Sequence, residues 1–400
     1  MNKKKHLITI FASFLMASTV LAACGGDQTT DKPEQTKQAE TEGDKKETKE
    51  EVVTGTDVAK QVAAYTDMMS ELAVAKDGQE VDWDTVQQKY EAGLQKGIAD
   101  FNPEFDQAIQ AALSAGKNGE MEPIIAVQLA DKTTQSYFYQ IQKVLQQEAA
   151  DALRNEKQNE VNFAFEQIKF LAEKIFIPTA EKRDSYYELS GDSSLVENIN
   201  SGLSAQEEAI AAGNVEDFQV FLQVTDKSIF RSYYLAVKSY AEKMEAGAKE
   251  GKEKQELSIM QAEAWGFYQA IKGSLGGGDE AAAAQLEKLL TLNTTDPATI
   301  KAAETNALFA KTISGKIKGY YEKAPKLLAE KNIAEAKGSA MEGNMFLKML
   351  QGQMTEKLGE EKTQAAFAEA EAWYNAIADN KPEDAKVSGS AVISTVDSLL

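Results

Sequence analysis

Tyrosine is the residue type best placed to do chemistry in this 400-residue chain, which holds thirteen of them. Tyr137 and Tyr139, Tyr233, Tyr234 and Tyr240, and Tyr320 and Tyr321 fall on apolar helical stretches, with Tyr186-Tyr187 on a connecting segment. Phenolate with carboxylates suits ferric iron, so Tyr137, Tyr233, Tyr234, Tyr320 and Tyr321 are candidate ligand-binding residues. The plainer reading is a buried ring with its hydroxyl at a wet edge. Met341, Met345, Met349 and Met354 run roughly along one helix side, where thioethers could bind copper(I) or haem iron. Methionine also fills irregular cores, and the adjoining Phe346 and Leu350 favour packing. Neither set is taken as a metal site, and no cofactor is expected.

Other motifs carry less. Gly276-Gly277-Gly278-Asp279-Glu280 precedes a helix as a phosphate loop would, but it lacks the Walker lysine and the dinucleotide glycine spacing, and two acids occupy the anion's place. A flexible interhelical loop is the better reading. Asp82-Trp83-Asp84 has the alternating acids of a calcium loop without its glycine or distal glutamate, so helix capping explains it better. Glu369 and Glu371 are two apart on a helix and do not face each other, which argues for a solvated face.

The single histidine, His6, and the single cysteine, Cys24, lie at the extreme N-terminus. Lys3-Lys4-Lys5, the apolar run from Leu7 to about Val20, and Leu21-Ala22-Ala23-Cys24 form the basic, apolar and small-residue regions of a signal peptide. The apolar run is too short for a confident spanning helix, which takes about 20 residues. Leu21-Ala22-Ala23-Cys24 resembles the lipobox of bacterial lipoproteins. That resemblance covers residues 1–24 only. It implies cleavage of residues 1–23 and lipidation of Cys24 with acyl chains such as palmitate. One chain binds a membrane only marginally, so a stable anchor takes two or more. With His6 removed and Cys24 lipidated, the mature body has neither residue for zinc or haem ligation, thiol catalysis, a Ser-His-Asp triad or a disulfide.

Residues 25–52 contain almost no large apolar side chain and read as a disordered acidic tether, spanning about 30 Å on average. Without the signal, 40 Lys and Arg face 63 Asp and Glu, a net charge of −23; residues 53–400 alone carry 35 against 54, or −19. Arg154, Arg183 and Arg231 are the only arginines, and no basic patch is visible, so nucleic acid is excluded as a partner. Anionic headgroups are repelled too, leaving membrane attachment to the lipid.

From Val53 onward, Ala, Glu, Lys, Gln and Leu dominate, and apolar residues recur at three- and four-residue spacing. Val161, Phe163, Phe165, Ile168, Leu171 and Ile175 form one such face, expected to close at Pro178; Phe221, Val224, Ile229, Tyr233, Val237 and Tyr240 form another. Strand signals are nearly absent, so the expected class is all-α. Asp131-Lys132-Thr133-Thr134-Gln135-Ser136-Tyr137-Phe138-Tyr139 aligns without gaps on Asp226-Lys227-Ser228-Ile229-Phe230-Arg231-Ser232-Tyr233-Tyr234, with a fainter echo at Lys311-Thr312-Ile313-Ser314. Aromatic or Met-rich helices follow each (Phe163-Ala164-Phe165, Trp265-Gly266-Phe267-Tyr268, Met345-Phe346), and helix starts precede them at Asp82, at Gly191 to Leu195 and at Gly278-Asp279. A fourth start is expected near Glu383-Asp384, followed by Val387, Val392 and Val396. These features predict about three repeats of three helices each, at 82–190, 191–277 and 278–380, with terminal helices at 53–81 and 381–400. The units form either an elongated array or tandem bundles.

The resulting expectation is a lipid-anchored, extracytoplasmic and non-catalytic binding or scaffold protein, facing an unknown protein or small ligand outside the cell membrane. The alternative is a metal- or haem-handling component of an uptake system using tyrosine, methionine and carboxylate ligands. An enzyme using carboxylates alone would need an aromatic cleft, and Trp83, Trp265 and Trp373 are scattered.

Overall fold

A computed structural model describes residues 53–400, so the signal, Cys24 and the tether lie outside the described residues. Among the described residues there is no strand, and the chain is all-α. The helices are α1 (Asp57–Leu72), α2 (Trp83–Gly93), α3 (Gln95–Phe101), α4 (Pro103–Lys117), α5 (Pro123–Arg154), α6 (Gln158–Leu171), α7 (Ile177–Tyr187) and α8 (Leu195–Ala212). They continue as α9 (Val215–Glu250), α10 (Lys254–Gly276), α11 (Glu280–Leu290), α12 (Ala302–Ala329), α13 (Ile333–Met349), α14 (Gln351–Leu358), α15 (Glu360–Ala378) and α16 (Pro382–Asp397).

The three expected helix starts are set by side-chain caps. Asp82 accepts from the Thr85 N–H at 3.1 Å, Ser194 from Glu197 at 3.1 Å and Asp279 from Ala282 at 2.9 Å, each filling an orphan donor of the first turn. The fourth start, α16, begins at Pro382 with no side-chain cap. There Val392 and Val396 are buried, but Val387 is 72 % exposed.

Two long helices organise the array. α5 packs against α4, α6 and α10; α9 packs against α8, α10 and α13. Neighbours on several sides explain why α5 and α9 bury polar as well as apolar positions and lack a plain amphipathic stripe. One continuous core runs from Val58 to Leu399. A smaller cluster of Val220, Phe221, Val224, Met341 and Met345 shows that the methionines fill the seam between α9 and α13. Met354 is not on their helix: it belongs to α14.

Pro178 does not close the α6 face. The helix passes through a π-helical turn, Ala172–Phe176, and continues as α7 with Pro178 in its first turn. Proline has no N–H to give the carbonyl four residues back, and the turn widens instead: the Ile177 N–H donates to the Ala172 carbonyl, five residues back. Phe163, expected on the buried face, is 49 % exposed.

Close approach explains two of the glycines singled out by sequence, Gly266 and Gly278. A Cβ on Gly266 of α10 would stand 2.3 Å from the Lys132 Cβ on α5. A Cβ on Gly278, in the loop after α10, would stand 2.0 Å from the Thr312 carbonyl oxygen of α12. Gly278 is thus a seat for α12's backbone, whereas a Cβ on Gly276 would meet nothing within 4 Å. Because backbone cannot yield as a flexible side-chain tip does, Gly278→Ala is expected to cost about 1–3 kcal/mol, read as a lower urea midpoint with unchanged slope.

Candidate functional site

The aligned segments place an Asp-Lys pair inside each long helix. On α5, Asp131 and Lys132 are each only 8 % exposed, and the Lys132 ammonium lies 2.7 Å from the Asp131 carboxylate. Adjacent helical residues do not face each other, so the flexible lysine stem must curl back to make this contact. The other Asp131 oxygen accepts from the Tyr65 hydroxyl of α1 at 2.5 Å and from the Gln135 amide at 2.8 Å. Burial pushes the Asp131 carboxyl up, but the Lys132 ammonium and these donors outweigh it and hold the pKa below the usual carboxylate range.

Helices α7, α9 and α10 complete the group. The Lys132 ammonium sits 5.1 Å from the centre of the Phe267 ring of α10, which stacks on Tyr240 of α9 at 6.4 Å and 14°. One turn before Phe267, the Glu263 carboxyl is pushed up by burial against the opposing pull of Lys132. From α7, Arg183 donates to the Ser239 hydroxyl at 2.9 Å and lies 5.8 Å from the Tyr240 ring centre, while its buried Nε has no hydrogen-bond partner among the described residues.

These side chains line a cavity of about 280 Å³. Its wall holds five cations, Lys76, Lys132, Lys174, Lys182 and Arg183, but only two carboxylates, Asp131 and Glu263. Lys174 is already paired with Glu173 at 2.6 Å. Burial, and then repulsion from Lys132, push the Lys182 ammonium below its ordinary pKa. In a chain of strong acidic charge this is a local positive cluster, with Lys132 and Arg183 buried and Lys76, Lys174 and Lys182 exposed. The π-helical turn supplies Lys174 and Ile175 to the wall, and such turns recur at functional sites.

A second cluster repeats the chemistry one helix pair further on. The Tyr139 hydroxyl donates to Asp226 at 2.8 Å, as Tyr65 does to Asp131. Lys227 pairs with Asp226 and sits 5.6 Å from the Phe346 ring centre, as Lys132 does with Phe267. Tyr320 stacks on Phe346 at 5.8 Å and 12°, matching Tyr240 on Phe267. Glu342 precedes Phe346 by four residues, as Glu263 precedes Phe267. The copies differ at one contact. Each acid accepts from its tyrosine, Tyr320 or Tyr240, but Glu342 closes onto Lys227 at 2.9 Å, whereas Glu263 makes no ion pair with Lys132 within 4.0 Å among the described residues. The third echo has Ala310 where the acid would be, and Lys311 is exposed.

The tyrosines chosen from the sequence do not converge. Tyr137 donates to Gln61 at 2.9 Å, and its pKa is pushed up to about 12 by burial. Tyr233 and Tyr234 are buried, with Tyr234 edge-on to Phe309. Tyr320 belongs to the second cluster, and Tyr321 donates to Asn344 at 2.7 Å while stacking on Trp373 at 3.7 Å. Burial raises the pKa of all five, the opposite of what a phenolate ligand requires. Among the described residues no three acidic side chains gather as a metal site would need.

Asp131, Lys132 and Gln135 were visible in sequence only as part of a repeat. Tyr65, Lys182, Arg183 and Glu263 carried no motif, and the one available signal was a pair of opposite charges set twice within apolar helix. No helix among the described residues is long and apolar enough to cross a membrane. Comparison with protein-family models, with curated proteins and with solved structures finds no match to this chain.

Proposed function

We propose that this chain is a non-catalytic, extracytoplasmic binding lipoprotein, held to the cell membrane by lipid on Cys24 and lifted from it by residues 25–52. The cavity between α5, α7, α9 and α10 is its ligand site. One observation carries the reading: a cavity of about 280 Å³ beside the buried, hydrogen-bonded Asp131, Lys132 and Arg183, with Arg183 Nε and the exposed Lys182 ammonium left without a partner among the described residues. Pockets built for small ligands join apolar walls to a few placed polar groups, and here Met69, Ile175, Pro178 and Phe267 supply the walls. Nothing in the cluster resembles a nucleophile with an adjacent base, which supports binding over catalysis.

The test is native mass spectrometry, with elemental analysis, on the protein purified from its own host. A bound small molecule is expected, lost from the double variant Lys182→Gln/Arg183→Gln while the helical circular dichroism is kept. A bare mass in every preparation overturns the ligand site, and a metal or haem adduct revives uptake of that cargo instead.

A further inference from the structure

Resting on that reading, we infer that the occupant is a small organic dianion, carrying either a phosphate monoester or a pair of carboxylates. The charge count sets the sign. Of the five cations in the wall, Lys132 is matched by Asp131 and Lys174 by Glu173, while Lys76, Lys182 and Arg183 have no ion-pair partner among the described residues. Set against Glu263, the remaining carboxylate of the wall, these three leave an excess of two positive charges, which a dianion matches and a monoanion does not. Arg183 is 6 % exposed, and its uncommitted Nε adds a donor suited to planar oxyanions.

The second cluster acts as an internal reference. There a buried lysine is bridged by two carboxylates, Asp226 and Glu342, and a tyrosine hydroxyl completes the second carboxylate. In the first cluster Lys132 has the Asp131 contact, the Phe267 ring and the Tyr240-on-Phe267 stack, but Glu263, held by the Tyr240 hydroxyl, makes no ion pair with Lys132 within 4.0 Å among the described residues, and a cavity is present. An incoming oxyanion therefore takes the place that Glu342 fills in the other copy.

Size and lining set the rest. At about 30 Å³ per water, the cavity equals about nine waters, too large for bare phosphate or sulfate and right for a molecule of about a dozen heavy atoms. Met69 and Pro178, which are not fully buried, give the organic body of such a molecule an apolar contact beside the charged groups.

Calorimetric titration of the purified chain decides the matter, using glycerol 3-phosphate, succinate, inorganic phosphate, butyrate, glucose and choline as probes. At least one of the two organic dianions is expected to bind one to one, ten-fold or more tighter than butyrate or inorganic phosphate, and more weakly as salt rises. Arg183→Gln and Lys182→Gln should each weaken that binding ten-fold or more, with Arg183→Lys restoring part of it. Glu263→Gln, which removes a negative charge from the wall, should tighten it. Lys157→Gln, in an exposed pair with Glu160, serves as the control. Glycerol 3-phosphate alone would assign the phosphate monoester, and succinate alone the dicarboxylate. Glucose, choline or butyrate binding as tightly, and being lost in Arg183→Gln, overturns the dianion while leaving the ligand site standing. Failure of every dianion, together with a host-derived ligand of another charge, overturns it too; failure of both dianions and host ligand removes the site itself.

Discussion

Lys227→Met is expected to destabilise the fold by about 3–5 kcal/mol, the cost of leaving buried carboxylates without their counter-ion. Lys227 is 4 % exposed and closes on both Asp226 and Glu342, the second at 2.9 Å. Methionine fills the same volume, so the loss is electrostatic and not a cavity effect. Urea unfolding checks the value, and a loss below about 1 kcal/mol would mean that water reaches this pair. Lys132→Met should cost less, because a single carboxylate faces it and the cavity admits water. The pH response should also change sign. Burial opposes ionisation of Asp226, but Lys227 and Lys143 outweigh it and hold the carboxyl below its ordinary pKa. The wild-type contribution is therefore present above about pH 4 and lost as pH falls through the depressed native value. Without the ammonium, burial is opposed only by Lys143 and the Tyr139 hydroxyl, so the carboxyl pKa is expected to rise and the variant to be penalised most near neutrality and least near pH 4.

Two tyrosines whose rings meet edge-on at 5.5 Å should respond oppositely to loss of one oxygen. Tyr139→Phe removes a 2.8 Å bond to the ionised Asp226 and is expected to cost about 1.5–3 kcal/mol, the range for bonds to charged groups. Tyr233→Phe removes a buried hydroxyl that has no partner among the described residues, and is expected to gain about 1–3 kcal/mol, the desolvation cost of an unsatisfied group. Thermal unfolding of the two single variants measures a difference of about 2.5–6 kcal/mol between near-identical chemical changes. Equal shifts would show that Tyr233 is satisfied by water.

The difference between these neighbours also shows what the sequence could disclose. Asp82, Ser194 and Asp279 were readable as helix starts because an N-cap satisfies donors within three residues, and three-residue information is enough. The all-α class followed for a similar reason, from the recurrence of apolar side chains. Pro178 misled because a local rule predicts a stop, whereas the chain widened one turn and went on. The cluster around Asp131 was hidden by distance: its partners Tyr65 and Phe267 come from helices α1 and α10, and spacing along one helix says nothing about which remote helix will face it. The gapless alignment of Asp131-Lys132 with Asp226-Lys227 held the clue, since charges amid apolar residues imply a helix covered on every side. Choosing tyrosines by abundance led instead to hydroxyls spent on Gln61, Glu342 and Asn344.

The closed cluster bears on the order in which the molecule assembles. Asp226 waits for nothing downstream to meet Tyr139, which lies 87 residues earlier, but Lys227 meets Glu342 only when α13, more than a hundred residues later, has arrived. Contacts between remote segments form slowly, because the loop between them must first be closed. A chain synthesised N-terminus first therefore carries Lys227 half-neutralised and wet on α9 until its last sixth appears. Docking of α13 then dehydrates the charges in one late step, tying completion of the fold to completion of synthesis.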